Sequence, residues 1–336
     1  MKILVQFAML TLGLLCSCFA HADNLSIEKP EVQAFIQKMV TKHHFSKPQL
    51  IAVFKTAKIQ PQVIENTKHP LEKETWKLYQ RVFINDTYIA EGAVFRKKYH
   101  RALVRAEKEY GVPGSLIIGT LGVETKFGTH SGGYRVIDAL SNLAFTNQPR
   151  ATYFRDELEH FLILSRDNHL DPSKMQGSYA GAIGAPQFMP SSYRYYAVSF
   201  SKKAPIDLVH NIHDAIASVG NYYKEHGWKK PALVAVPVTV QGDDYLKLRK
   251  PDGSALAFAS ANLSRYGITP ERKIPKGYKV KLVEFEGQKG KEYWLVFPDF
   301  DVIKRYNPSN LYAMAVFQLG RSILVHDKKA AQGPIT

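Results

Sequence analysis

Cysteine is almost missing from this chain. Of 336 residues only Cys16 and Cys18 are cysteines, and both lie in the first 22. Past that point no disulfide can form, even in a compartment that would permit one. Zinc spacing is missing too: twelve histidines are scattered, and His210 and His213 have no ligand-type partners nearby. No apolar run is long enough to span a bilayer. There is no internal repeat and no low-complexity segment. Acidic residues are in short supply, 30 against 45 Lys and Arg, a formal charge of +15. Such a surface predicts association with polyanions, or serves solubility alone. No nucleic-acid motif accompanies it, so nucleic acid is not the expected partner. What remains is ordinary for a globular protein: 45% hydrophobic and 22% charged residues, enough for two or three domains.

The first 22 residues read as an export signal. Lys2 supplies a positive start, Ile3 to Leu15 an apolar core, and Ala20-His21-Ala22 a small-residue cleavage site. The expected mature chain starts at Asp23 and is soluble in the periplasm. Two alternatives stay open: a buried N-terminal helix, and a lipoprotein signal with Cys18 acylated, which would anchor the protein at the outer membrane. The anionic polymer that an exported bacterial protein meets is the cell wall, with its peptide carboxylates.

One stretch organises the rest. Gly111 to Gly128 reads as a helix, with Pro113 in its first turn and Gly128 at a left-handed C-terminal cap. Leu116, Ile117, Ile118, Leu121 and Val123 leave almost no polar face, so it is expected to be buried nearly all round. Gly119 and Gly122 each weaken a helix by about 1 kcal/mol, which a close approach by a neighbouring element would offset. At the end stands Glu124. Desolvating a carboxyl favours its neutral form, which is how a general acid is prepared. A lone glutamate that merely surfaces in a last turn is the plainer reading. A second stretch weighs against it. Gly177-Ser-Tyr-Ala-Gly-Ala-Ile-Gly-Ala-Pro-Gln-Phe-Met-Pro-Ser-Ser-Tyr193 combines small residues, along which a polymer can lie, with Gln187, a non-titrating amide able to bind sugar groups.

Together the two stretches resemble the lytic murein transglycosylase B family. The resemblance extends to Asp138-Ala139-Leu140, Asn221-Tyr222-Tyr223, His226-Gly227-Trp228 and Tyr306-Asn307, nearly the whole mature chain. It implies an α+β, mainly helical protein with a lysozyme-like core from 106–231 and 301–325. An N-terminal helical domain (23–105) would precede the core, a small β-rich insertion (232–300) would interrupt it, and 326–336 would form a tail. The implied reaction is lytic cleavage of the β-1,4 bond from N-acetylmuramic acid to N-acetylglucosamine, with Glu124 as acid and then base, leaving a 1,6-anhydro end. Gln187, Ser178, Tyr222, Tyr306 and Asn307 would hold the sugar. Arg150, Tyr312 and Tyr79 would also line the cleft. Pro149 and Arg150 stand where the family has an arginine pair, so only Arg150 carries over. Neither motif offers a second acid of the kind that two-carboxylate glycosidases use.

Many family members carry a calcium loop after the glutamine motif. Here the stretch is Ser199-Phe-Ser-Lys-Lys-Ala-Pro-Ile-Asp207, with two lysines and a proline where oxygen ligands and a glycine are needed. No calcium site, no other metal and no cofactor is expected, and the enzyme is expected to be a monomer. Two rival readings stay open. One is a lysozyme-type hydrolase in which Asp138 or another acid activates water, although Asp138 reads better as a helix N-cap. The other is a non-catalytic wall-binding protein on the same fold.

Elsewhere the pattern is simpler. Val32, Phe35, Ile36 and Val40, then Leu50, Val53 and Phe54, recur at helical spacing, and Trp76, Tyr79 and Phe83 open a longer segment through Leu103. Val280 to Phe285 and Tyr293 to Val296, around a turn at Gly287 to Gly290, read as a hairpin. Pro237 reads as an edge or bulge residue. A last helix runs from Leu311 to Leu324.

Overall fold

The computed structural model describes residues 24–67, 74–146, 148–201, 205–230 and 233–332. The leader with Cys16 and Cys18, and Lys202 and Lys203 of the calcium-loop stretch, lie outside them. The described chain begins with helices punctuated by proline. α1 (Pro30–His43), α2 (Lys47–Lys55) and α3 (Pro61–Asn66) each have proline in the first two positions, where its missing N–H has no partner to lose. The aromatic segment that follows is three helices rather than one: α4 (Trp76–Phe83), α5 (Asp86–Lys98) and α6 (His100–Tyr110). Thr75 and Asn85 start the first two, their side chains accepting from the amides of Leu78 and Tyr88. The Asn85 cap interrupts what the aromatic spacing alone suggests is continuous.

The organising helix is α7 (Gly114–Thr125). Leu116, Ile117, Ile118, Gly119, Thr120, Leu121 and Gly122 are all buried. Around it stand α8 (Val136–Ala144), α9 (Ala151–Asp167), α10 (Pro190–Tyr196) and α11 (Ile212–Glu225). Two short strands, β1 (Tyr134–Arg135) and β2 (Gln176–Gly177), pair antiparallel beside them. The last helix, α13 (Asn310–Gln332), lies across α7 and continues through much of the expected tail. The crossing explains the glycines. A Cβ on Gly119 would come to 2.1 Å from the Val316 carbonyl oxygen, and one on Gly320 to 2.1 Å from that of Ser115. The helices meet backbone to backbone, so propensity is traded for close packing.

Between α11 and α12 (Pro298–Ile303) the chain forms a five-stranded antiparallel sheet. Its strands are β3 (Ala235–Val240), β4 (Ala257–Ala259), β5 (Ile268–Pro270), β6 (Lys279–Gly287) and β7 (Gly290–Val296), in the order β4-β6-β7-β3-β5. The expected hairpin is there, closing at Gly287 opposite Gly290. Pro237 is not on an edge strand, because β3 lies between β7 and β5. Its carbonyl accepts from the amide of Glu271, just past the end of β5. The missing N–H points to that same side, where strand pairing is finishing. Alternation on β6 joins two cores: Val280 packs with Val236, Phe258 and Leu295, whereas Val283 and Phe285 belong to the main core. Trp76 fastens the junction, its ring 5.1 Å from that of Phe285 and its indole N–H donating to Glu292.

Candidate active site

The C-terminus of α7 sets the site. The helix ends two residues earlier than glycine spacing suggests. Lys126 takes the left-handed cap with φ 50°, and Phe127 and Gly128 follow with φ 61° and 88°. The amide of Lys126 bonds the Gly122 carbonyl and that of Phe127 bonds Leu121, which closes the last turn. Thr125 then joins the two sequence motifs: its buried hydroxyl donates to the Ala185 carbonyl at 2.7 Å and accepts from the Gly128 amide. Glu124, one residue earlier, is only half-buried and lines two cavities. One, of about 310 Å³, is shared with Ser178, Gln187, Tyr222, Tyr306 and Asn307. The other, of about 270 Å³, is shared with Tyr88, Lys126 and His130.

A group of tyrosines backs the carboxylate. The Tyr312 hydroxyl donates to Glu124 Oε1 at 2.6 Å. Burial, and next the charge of Glu124, push the Tyr312 phenol well above its ordinary value. It therefore stays protonated at neutral pH and gives its proton to the hydrogen bond with the carboxylate. Tyr306 is raised by the same two causes, and its hydroxyl donates to the Pro186 carbonyl. Tyr222 donates to the Arg305 carbonyl at 2.7 Å, and Tyr223 shares a bond with Thr120. Rings of Tyr222 and Tyr306 lie 4.7 Å apart, and those of Tyr306 and Tyr312 stack at 6.2 Å. Tyr222 and Tyr306 thus hold backbone carbonyls of the cleft and line its cavity, whereas Tyr223 and Tyr312 are buried behind them and line neither cavity.

Gln187 has φ 49°, an uncommon left-handed conformation for a side-chain-bearing residue. Its amide nitrogen donates to the carbonyls of Ser131 and Gly184, at 3.0 and 2.9 Å. The sequence suggests a donor and acceptor for a ligand; here the amide nitrogen is committed to the fold by two carbonyls, and the residue lines the cavity. Ser178 Oγ accepts from the amides of Ala180 and Ala182, which leaves its own proton for a partner. The glycines of this stretch serve the fold more than a ligand. A Cβ on Gly177 would meet the Ala182 carbonyl oxygen at 2.2 Å, and one on Gly184 that of Leu208 at 2.3 Å.

Residues 28–321 match the family described as transglycosylase SLT domain. The chain belongs to that family. It is 40% identical to the membrane-bound lytic murein transglycosylase B of Escherichia coli (strain K12) over 304 residues, covering 88% of this chain and 82% of that protein. Among solved structures it is similar to the soluble lytic transglycosylase SltB1 of Pseudomonas aeruginosa, with a TM-score of 0.82 and 39% identity over 89% of this chain and all of the other. It is also similar to the Escherichia coli lytic transglycosylase Slt35 in a complex with calcium, with a TM-score of 0.83, 38% identity, and coverage of 91% of this chain and 96% of that one.

Within this transglycosylase domain two expected cleft residues lie elsewhere. Tyr79 is 2% exposed, packed between Trp76 and Phe83, and does not line the cavities around Glu124. An aromatic at helical spacing is core here, as period alone would say. Arg150 is exposed, its guanidinium 4.5 Å from the Tyr153 ring centre and 5.3 Å from that of Phe154, and it does not line these cavities either. Asp138 is not an N-cap: α8 starts two residues before it. It is 1% exposed, and Arg135 grips both its oxygens at 2.7 and 2.8 Å. The Lys58 amide and the Gln60 side chain donate to it as well. Sequence reading missed Ser131, Thr125 and Pro186, which hold the site through a carbonyl, a hydroxyl and a carbonyl. Ser131 and Pro186 contribute backbone carbonyls, which no residue type announces, and the partners of the Thr125 hydroxyl are set by the fold. Tyr88 and His130 of the second cavity were also missed; His130 follows Glu124 closely enough in sequence to have been a candidate.

Proposed function

We infer that the protein is a peptidoglycan lytic transglycosylase, cleaving the β-1,4 bond between N-acetylmuramic acid and N-acetylglucosamine. The observation that carries this is Glu124, a half-buried carboxyl that lines two cavities and accepts a hydrogen bond from the phenol behind it. A polymer must extend to both sides of the bond being broken, and the two cavities provide for that. Glu124 protonates the glycosidic oxygen as the C1–O bond breaks. The substrate's own N-acetyl oxygen attacks C1, then the muramic acid 6-hydroxyl displaces it and closes the 1,6-anhydro ring. Glu124, now ionised, takes the hydroxyl proton and is ready again. Tyr312 steadies the ionised form through its hydrogen bond. Ser178, Gln187 and Asn307 hold the sugar, and Tyr222 and Tyr306 shape the wall on which it lies. No metal or cofactor enters the reaction.

A hydrolase that activates water through Asp138 is less well supported, because Asp138 is buried and already accepts from three residues. The relationship to a membrane-bound murein transglycosylase supports action in the cell envelope. We place the mature protein in the periplasm from Asp23; N-terminal analysis that found an acylated Cys18 would make it membrane-anchored instead. Mass spectrometry of digested sacculi tests the reaction: 1,6-anhydro ends are expected, and reducing ends would mean hydrolysis.

A further inference from the structure

A cavity of about 620 Å³ lies away from Glu124. It lies where the sheet meets α12, over a floor that includes the buried Leu248, Val296 and Phe300. Charge dominates its walls. Three carboxylates face it, and two are already paired: Glu284 with Arg249 and Lys291, and Asp301 with Lys281 at 2.8 Å. The third, Glu286, stands opposite Lys291 in the β6–β7 register. Among the described residues Lys250 and Lys304 form no ion pair, and both line the cavity. Lys304 is half-buried; burial pushes its ammonium below the ordinary value, with Lys281 adding to the effect and Asp301 opposing it. Asp301 is already paired with Lys281 and offsets the desolvation of Lys304 only in part, so an arriving carboxylate would relieve the remaining cost.

The position of Lys304 suggests which carboxylate. Three Cα steps of about 3.8 Å bound its separation from Asn307, in the Glu124 cavity, at ~11 Å. Between them the Arg305 carbonyl accepts from Tyr222 of the same cavity. Asn310, three residues past Asn307, lines the large cavity again. One short segment therefore touches both spaces. An extended peptide covers about 3.3–3.6 Å per residue, so a few residues reach across. We infer that this cavity is a subsite for an acidic peptide, the stem that the glycan strand carries on the sugar held at Glu124, with Lys304 and Lys250 receiving its carboxylates. This rests on the reading of the protein as a peptidoglycan enzyme. It makes Lys304 a determinant of specificity and not a catalytic residue.

Two measurements test it on the full chain. An isolated acidic stem tripeptide is titrated by calorimetry into the wild type, Lys304→Ala and Lys304→Arg. Binding is expected for the wild type, weaker at high salt, lost in Lys304→Ala and kept in Lys304→Arg. Cleavage is then compared on strands with stems and on strands stripped by an amidase. The wild type should favour the stem-bearing strands about tenfold in kcat/KM. Lys304→Ala should lose that preference through KM while its rate on stripped strands stays unchanged. Equal tripeptide binding by wild type and Lys304→Ala, or equal loss on both strands, would overturn the subsite. An active Glu124→Gln variant would sink the mechanism instead and leave the peptide result standing.

Discussion

Around Asp138 every donor comes from the polypeptide; around Glu124 the polypeptide leaves open space on two sides. Both carboxylates belong to helices of the main core. Asp138 accepts from Arg135 and also from Lys58 and Gln60, about eighty positions away in sequence, and so ties the N-terminal helices to α8. Glu124 receives a phenol behind it and faces cavities in front. The difference lies in what remains for a substrate. A carboxylate whose lone pairs are occupied by fixed donors is a fastening. One that keeps an accessible face next to a polar wall is available for proton transfer.

The most severe way to break this contrast is Glu124→Gln. The amide keeps size and reach but delivers no proton. General acid–base catalysis contributes about 10² to 10⁴-fold, and here one group serves both steps, so anhydro-muropeptide release should fall at least that far. Wall binding and the melting temperature should hold. Release at near wild-type rate would mean that the acid is elsewhere.

Asp138→Asn is the counterpart, with stability instead of chemistry at stake. Hydrogen bonds to charged groups contribute about 1.5–3 kcal/mol each. The Arg135 side chain is 27% exposed, so water partly replaces its partner. A loss of about 2–3 kcal/mol is expected by denaturant titration, more than a helix cap alone would give. Product analysis of the folded fraction should still find anhydro ends; a folded but inactive Asp138→Asn enzyme would restore the two-carboxylate hydrolase.

The same pair shows what the sequence could disclose. The apolar α7, its terminal glutamate and the need for a close neighbour at Gly119 were legible, because helical period and glycine are local signals. So was the hairpin across Gly287 and Gly290. The fastening of Asp138 was not, since beside the local Arg135 two of its partners, an amide N–H and a neutral side chain, come from a distant segment. Tyr79 and Arg150 went astray for the opposite reason. Family likeness carried them to the cleft, whereas burial of one and ring stacking of the other keep them away. Gln187 was legible as a residue but not in its orientation, which depends on carbonyls at Ser131 and Gly184.

Glu159 extends the contrast to pH. It fastens α1 to α9 through Lys38, Lys42 and His43 at 2.5, 3.0 and 2.6 Å. Burial pushes its carboxyl up, but the hydrogen bonds from Lys38, His43 and Lys42 outweigh that and bring it down to about 2, below the ordinary 4.5. A depressed folded value means that its stabilisation is complete above pH 4.5 and is lost as pH falls from there towards 2. Melting curves across that window should be steeper for the wild type than for Glu159→Gln. Parallel curves would show that the cluster contributes nothing.

The smallest expected effect belongs to calcium. The stretch from Ser199 to Asp207 is where the family's calcium loop would lie, and its sequence offers Lys202, Lys203 and Pro205. The carboxylates nearby are engaged as Asp138 is, by the chain itself. Asp207 Oδ1 accepts from the amides of Val209 and His210, and Asp214 accepts from the Asp207 amide. To bind calcium the loop would have to release those donors and bring two ammonium groups towards a divalent cation. A ligand at ~100 times its dissociation constant adds roughly 2.7 kcal/mol to the folded state, which a melting scan resolves easily. With millimolar calcium and with a chelator the melting temperatures should coincide. A calcium-dependent rise would mean that the loop opens its carboxylates to a metal, and Lys202→Asp with Lys203→Asn would then be expected to enlarge that rise.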